Sequence, residues 1–262
     1  MMHSEGPSTS IRQQFTRQGD AYRRLNYVHD DTALKRVVAM MRVEPQGLVA
    51  DFACGPGYLT LAFASECREV VGIDITPAFL DHARATATSR RLENAQFLEA
   101  DVRETGLPDE AFDLTISRAA FHHFKDPGSV LDEMIRVTKP SGRVAVLDMI
   151  ASENTEKAAR HHEIEQLCDP THVRALTESA ILKLFEEKGL MIEFKRKGET
   201  TYSLDEWIAH GGPSEANEKR IREIFEETLS RDILGLPAHV EQGEVYFSHP
   251  GIAVVGRQAV VR

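Results

Sequence analysis

Short apolar runs alternate with amphipathic stretches along much of the chain, and this alternation predicts the elements. Leu34, Val37, Val38 and Met41 recur at helical spacing within Thr32 to Val43, and the Pro45-Gln46-Gly47 break ends that helix. Leu48 to Phe52 reads as a strand, Tyr58 to Cys67 as a helix, and Val70 to Ile73 as a second strand. Thr76 then stands as an N-cap with Pro77 at the first helical position, where its missing N–H costs nothing. Ala95 to Leu98 and Phe112 to Ser117 are the third and fourth strands. Asp126-Pro127 repeats the cap-plus-proline start of a helix running to about Lys139, Pro140-Ser141-Gly142 is a turn, and Arg143 to Ile150 is the fifth strand. Such β-α-β-α order implies a parallel sheet with helices on both faces.

Beyond residue 150 the pattern loosens. Asn154 to Leu167 is helical and polar, Glu178 to Lys188 is a helix closed by Gly189, and Leu190 to Phe194 is a strand. Leu204 to Arg231 is mostly helical, and Tyr246–Phe247 with Ile252–Val255 form a closing strand or hairpin. At the other end, residues 1–10 read as a disordered lead, and Ile11 to Tyr27 is polar with spaced aromatics (Phe15, Tyr22, Tyr27), which suits a helix lying on something larger. The expected organisation is one domain over 11–262. Its cofactor-binding core spans 32–150, and 11–30 with 151–240 supply a substrate cover and insertion.

Composition narrows the partners. In 262 residues, 31 Lys and Arg stand against 41 Asp and Glu, a net charge of -10, which argues against a nucleic-acid backbone as the main partner. Three scattered cysteines, Cys54, Cys67 and Cys168, suggest neither a disulfide framework nor a zinc site and fit a reducing cytoplasm. No apolar run approaches the roughly 20 residues of a membrane span. The oligomeric state, monomer or homodimer, is left open.

The chemistry concentrates at strand ends. Asp51-Phe52-Ala53-Cys54-Gly55-Pro56-Gly57-Tyr58 follows the first strand and opens a helix, where open α/β sheets place ligands. A dinucleotide loop needs a third glycine where Tyr58 stands, and no Gly-Lys-Ser/Thr follows for a phosphate loop. A carboxylate at Asp51 would repel a pyrophosphate but attract an amino acid's ammonium with a sulfonium nearby, which favours S-adenosylmethionine. Asp74 lies 19 residues after Gly55, near the spacing of about 20 at which an acid meets ribose hydroxyls. Asp101 is placed to accept from an adenine amino group, with Val102 packed on the ring.

These blocks, with the run from Phe112 through Ser117-Arg118-Ala119-Ala120-Phe121-His122-His123-Phe124 and Asp126-Pro127 to Lys139-Pro140-Ser141-Gly142-Arg143, resemble the class I S-adenosylmethionine-dependent methyltransferases. Within that family the resemblance is nearest the ubiquinone/menaquinone-biosynthesis type, strongest over residues 32–150. It implies a Rossmann-like, doubly wound α/β fold: a mostly parallel seven-stranded sheet, an antiparallel last strand and a helical cover. It further implies that Asp51, Ala53, Gly55 and Gly57 hold the methionine part, Asp74 and Ile75 the ribose and adenine, Asp101 and Val102 the adenine, and Arg118 the methionine end. Tyr22 would close over the cofactor and Phe15 over the substrate. Ala53 stands where many members have glycine, and Ser141 replaces a common glycine.

On the substrate side, His122 and His123 directly follow the fourth strand and suit a general base near neutral pH. His172 and Arg174 follow the break at Asp169-Pro170, where a loop over the substrate would let Arg174 bind an acid or phenolate and His172 serve as a further base. His161, His162, Glu165 and Cys168 lack a metal-binding motif and read as a solvated helix face, so no metal is expected. The expected activity is methyl transfer to a small molecule at carbon, oxygen or nitrogen. The alternative is a protein that binds the sulfonium for non-methylating chemistry or sensing.

Overall fold

The structure, a computed structural model, describes residues 31–259. The expectations for 1–10 and for the aromatic segment with Phe15, Tyr22 and Tyr27 lie outside the described residues. In chain order the elements are α1 (Asp31–Met41), β1 (Leu48–Phe52), α2 (Tyr58–Phe63), β2 (Glu69–Asp74), α3 (Pro77–Arg90), β3 (Ala95–Glu99), β4 (Phe112–Arg118), a 3₁₀ turn (Phe121–His123), α4 (Pro127–Val137) and β5 (Thr138–Met149). The remaining elements are α5 (Thr155–Cys168), α6 (Glu178–Glu187), β6 (Leu190–Ser203), α7 (Leu204–Gly211), α8 (Glu215–Ser230), β7 (Ala238–Glu241) and β8 (Glu244–Gln258).

The sheet runs β3-β2-β1-β4-β5-β8-β6, with β7 paired to β8 beside this path. Strands β1 to β5 are mutually parallel, and β8 is antiparallel to both β5 and β6. Strand order reverses between β1 and β4, which opens the ligand crevice at their carboxyl ends. The mostly parallel sheet with an antiparallel last strand is as expected; β7 is an addition.

Alternation of side chains along each strand supplies two cores. Ala50 and Phe52 of β1, with Val144, Val146 and Val254, pack against Leu131 and Met134 of α4 and Ile181 and Phe185 of α6. Val49 on the opposite face, with Leu114, Ile116 and Ala145, packs against Leu34 and Val38 of α1 and Leu59 and Phe63 of α2. A third core lies apart from the sheet body. Ile164 and Cys168 of α5, Trp207 and Ile208 of α7, Ile221 and Phe225 of α8, and Phe247 of β8 form the interior of the cover.

Four boundaries depart from the sequence pattern. Helix α2 stops at Phe63, and Ala64–Cys67 closes it through turns in which Ala64 and Cys67 donate to Thr60 and Phe63 carbonyls. The Pro140-Ser141-Gly142 turn survives as a bulge inside β5: Phe112 pairs with Thr138 and Leu114 with Arg143, so the intervening residues loop out while pairing continues. Strand β6 runs nine residues past Phe194. Its second half is an exposed, lysine- and arginine-bearing edge paired only through β8, so it carries no apolar alternation to read. The two apolar fragments near the end belong to one 15-residue strand, β8, whose hairpin with β7 supports the cover.

Phe185 anchors α6 to the sheet: it is fully buried, and its ring lies against Gly256 of β8. Phe185→Ala should cost about 3–5 kcal/mol, read as a lower urea midpoint without change in slope.

Candidate functional site

Strands β1, β2 and β3 each lead to a carboxylate near their carboxyl ends, and the fold takes two of the three out of water. Asp51 is 2% exposed and accepts a 2.6 Å hydrogen bond from the Thr60 hydroxyl of α2. Burial pushes its carboxyl up to about 7; the Thr60 bond and the Arg118 guanidinium pull it down, and Asp74 pushes it further up. Asp74 accepts from the backbone N–H of Gly55 at 2.8 Å and of Thr76 at 2.8 Å, which ties the glycine loop to the end of β2. Burial raises its pKa and those N–H donors oppose the rise. Asp101 is different: partly exposed, it is engaged by the Arg103 guanidinium and backbone N–H, which hold its carboxyl below the usual range. Val102 beside it is buried.

The loop between Asp51 and Asp74 is built around left-handed backbone. Gly57 has φ +80, and a Cβ there would lie 2.8 Å from Ala83 and Phe97 atoms, so this glycine allows α2 to pack closely. Gly55, at φ +53, has open space where its Cβ would be, the nearest atom being a Phe79 ring carbon at 4.0 Å. That space, flanked by two buried acids, fits a group approaching the backbone and carrying positive charge. Ala53 holds φ +56 and Ala119 φ +54, so the ends of β1 and β4 both carry a conformation costing an L-residue about 1–2 kcal/mol. The strain at Ala53 is the physical reason glycine suits this position.

Arg118 and Ala119, which follow β4, are among the residues lining a cavity of about 1280 Å³ bounded by the described residues. Its wall also includes His122, His123, Asp148, Glu165, His172 and His249, together with Arg36 and Met40 of α1 and the β6 edge from Glu193 to Thr200. The structure thus brings three of the expected histidines together: His122 and His123 ring centres are 4.2 Å apart, and His122 and His172 stack at 5.5 Å. They are not equivalent. His122 Nδ1 lies 2.7 Å from Asp148 Oδ1, and its backbone N–H donates to Oδ2 at 3.2 Å. Burial disfavours the imidazolium, but Asp148 outweighs it, so the His122 pKa is raised and the Asp148 carboxyl is lowered despite its own burial. Burial and the His122 charge lower His123 to about 4, and burial lowers His172 to about 3. Both are neutral at pH 7 and weak as bases.

Two expectations need correction. Arg174 is exposed and not among the residues lining the cavity. The N–H groups of Val173 and Arg174 both donate to the His122 carbonyl, a pinning that accompanies a buried His172 and an outward Arg174. The supposed solvated face of α5 is buried: His161, Ile164, Glu165 and Cys168, one helical stripe, sit beneath the cover. Their polarity concealed a face turned inward. Asp148 and His249 escaped the sequence reading of the site, and Glu165 entered it only as part of a solvated face. An acid within the apolar run Val144 to Met149, and a histidine beside Phe247, were the available signals.

Residues 50–146 match the model of the methyltransferase domain family. An uncharacterised methyltransferase, YcgJ, of Bacillus subtilis is 28% identical over 207 residues, covering 79% of this chain and 82% of its own. Its crystal structure superposes with a TM-score of 0.81 over 87% of this chain and 99% of that one. A putative methyltransferase of Bacillus halodurans, 25% identical, superposes with a TM-score of 0.82 over 87% of this chain and all of its own. The demethylmenaquinone methyltransferase of Thermus thermophilus is 37% identical over 116 residues, 44% of this chain and 52% of that protein. Fold, domain match and relatives together define a class I S-adenosylmethionine-dependent methyltransferase. Within that class the chain is related to the ubiquinone/menaquinone type, and S-adenosylmethionine is its cofactor.

The His122–Asp148 pair makes a pH-dependent contribution with a defined sign. The raised His122 pKa gives stability that is present below its unfolded value near 6.5 and lost as pH rises through the folded value. The lowered Asp148 pKa gives stability present above 3.8 and lost as pH falls through its folded value. Asp148→Asn should cost about 3–5 kcal/mol at pH 6, the loss for a broken buried pair. It should also bring the His122 NMR titration below that of a free histidine.

Proposed function

We propose that this methyltransferase acts on a small-molecule acceptor held in the cavity beneath the cover, with the cofactor at the glycine loop. The observation that carries this reading is the cavity itself: Arg118, which acts electrostatically on Asp51, and Ala119 line it together with the histidines. A concave pocket in a chain of net charge -10 suits a small molecule better than a nucleic acid. Among the described residues no helix is long and apolar enough to cross a membrane.

In this reading Asp51, Ala53, Gly55 and Gly57 hold the methionine part and Arg118 its carboxylate end. Asp74 and Ile75 hold the ribose and adenine. Asp101, on leaving Arg103, accepts from the adenine amino group while Val102 packs on the ring. The cofactor supplies an activated methyl group, so the protein's work is alignment and exclusion of water. His122, whose pKa Asp148 raises, orients the acceptor atom and favours negative charge on it. An acceptor that arrives ionised needs no general base, which agrees with the weak basicity of His123 and His172.

Incubation of the protein with S-adenosylmethionine and pooled phenols, carboxylic acids and amines, followed by mass spectrometry, should reveal a methylated product together with S-adenosylhomocysteine. Cofactor binding without turnover on any small acceptor, alongside methylation of a macromolecule, would overturn the reading. Asp74→Ala should weaken cofactor binding by about 1.5–3 kcal/mol in calorimetry, the loss of hydrogen bonds to a charged group.

Asp51 makes cofactor affinity depend on pH. With its carboxyl raised to about 7, the free protein holds a proton there that a cationic ligand must displace. Affinity should therefore rise with pH by up to about tenfold per unit between pH 5 and 7 and level off above. Calorimetry in buffers of differing ionisation enthalpy should show close to one proton released at pH 6, and a pH-independent affinity in Asp51→Asn.

A further inference from the structure

Helix α5 and strand β8 meet under the cover at a group of side chains that the methyl-transfer reading does not use. His161 and Glu165 are one helical turn apart on α5, and His249 projects from β8. Glu165 Oε1 lies 2.8 Å from His249 Nε2 and 3.3 Å from His161 Nε2. One ligand atom from each residue falls within 4.8 Å of the other two. All three side chains are at least nine-tenths buried, with exposures of 1% for His161, 5% for Glu165 and 4% for His249.

The close contacts are ion-pair contacts that lack hydrogen-bond angles. Among the described residues, Glu165 Oε1 and both ring nitrogens of His161 and of His249 have no hydrogen-bond partner. Leaving one buried polar atom unpaired costs about 1–3 kcal/mol, and more when it is charged. Here five such atoms belong to three neighbouring side chains, and one from each converges within 4.8 Å of the others. Their lone pairs converge without the angles that would let one group donate to the next, which is the arrangement that serves a central cation. Two imidazoles and one carboxylate form a donor set for first-row transition ions with positions left open, whereas Mg²⁺ and Ca²⁺ prefer all-oxygen shells.

We infer that His161, Glu165 and His249 bind one divalent transition-metal ion of the Zn²⁺ or Fe²⁺ class, with its open positions toward the acceptor cavity. Glu165 and His249 both line that cavity, and His172 Nδ1 stands 3.9 Å from Glu165 Oε2. The ion takes the hydroxyl oxygen of the acceptor, lowers its pKa so that the O–H proton passes to solvent water, and keeps the resulting anion bound. This last role, but not metal binding itself, rests on the proposed small-molecule function. It narrows the acceptor to an oxygen-bearing compound such as a phenol, enol or hydroxy acid.

The test uses the full-length protein, stripped with a chelator and titrated with Co²⁺ and separately with Zn²⁺. One equivalent of Co²⁺ should bind and give visible ligand-field bands, and Zn²⁺ should displace it. X-ray absorption of the Zn²⁺ form should show imidazole nitrogen and oxygen neighbours. His249→Ala and Glu165→Gln should weaken Co²⁺ binding by about 100-fold or more, while His239→Ala, at an exposed histidine, leaves it intact. S-adenosylmethionine affinity should persist in the two site variants, so loss of the metal is separable from failure of the methyltransferase reading. Wild-type protein that binds the cofactor but no stoichiometric Co²⁺ or Zn²⁺, a sulfur-containing shell, or undiminished binding in His249→Ala would overturn the inference. The wild-type titration and absorption data decide the matter even if a variant fails to fold.

Discussion

A carboxylate taken out of water must be met by a proton, a set of donors or a cation, and the carboxyl edge of this sheet meets three of them in three ways. Asp51 keeps its proton to about pH 7 and leans on Thr60. Asp74 is met by backbone N–H groups of the loop it organises. Asp148 is met by His122. These differences divide the site: Asp51 and Asp74 keep capacity for a cationic ligand, whereas Asp148 is committed to His122, whose pKa it raises, at the wall of the next cavity.

The cover extends the same constraint. It packs on the outer half of the β6–β8 ribbon through its own core of Trp207, Phe225 and Phe247, and so closes a space over α5. Seven of the chain's eleven histidines gather around that space: His122, His123, His161, His162, His172, His210 and His249. Burial lowers the pKa of His123, His172, His210 and His249, and only His122, with its acid, is raised. Neutral imidazoles are the ligating and hydrogen-bonding form, so the cover creates chemistry by dehydrating side chains that would titrate ordinarily at a surface.

Local signals carried the first half of the chain. Strand β1 is where the apolar run Leu48 to Phe52 put it, Asp126-Pro127 starts α4 with Asp126 accepting from Ser129, and Thr76-Pro77 starts α3. These features depend on neighbours a few residues away, and a parallel strand buried on both faces leaves a continuous apolar run. Gly55, Gly57, Asp51 and Asp74 were legible for the same reason, because loop geometry and strand-end position are local properties.

What the sequence determined by itself is the α/β order, the strand-end acids and the glycine loop, and with them the kind of cofactor. What only the tertiary structure decided is which polar residues face inward. The stripe His161, Ile164, Glu165, Cys168 reads as a wet helix face until α7, α8 and β8 cover it, and Arg174 reads as a ligand-binding cation until backbone bonds to His122 leave it outside. The polarity of a side chain records its chemistry but not its exposure, and exposure is set by packing between elements far apart in the chain.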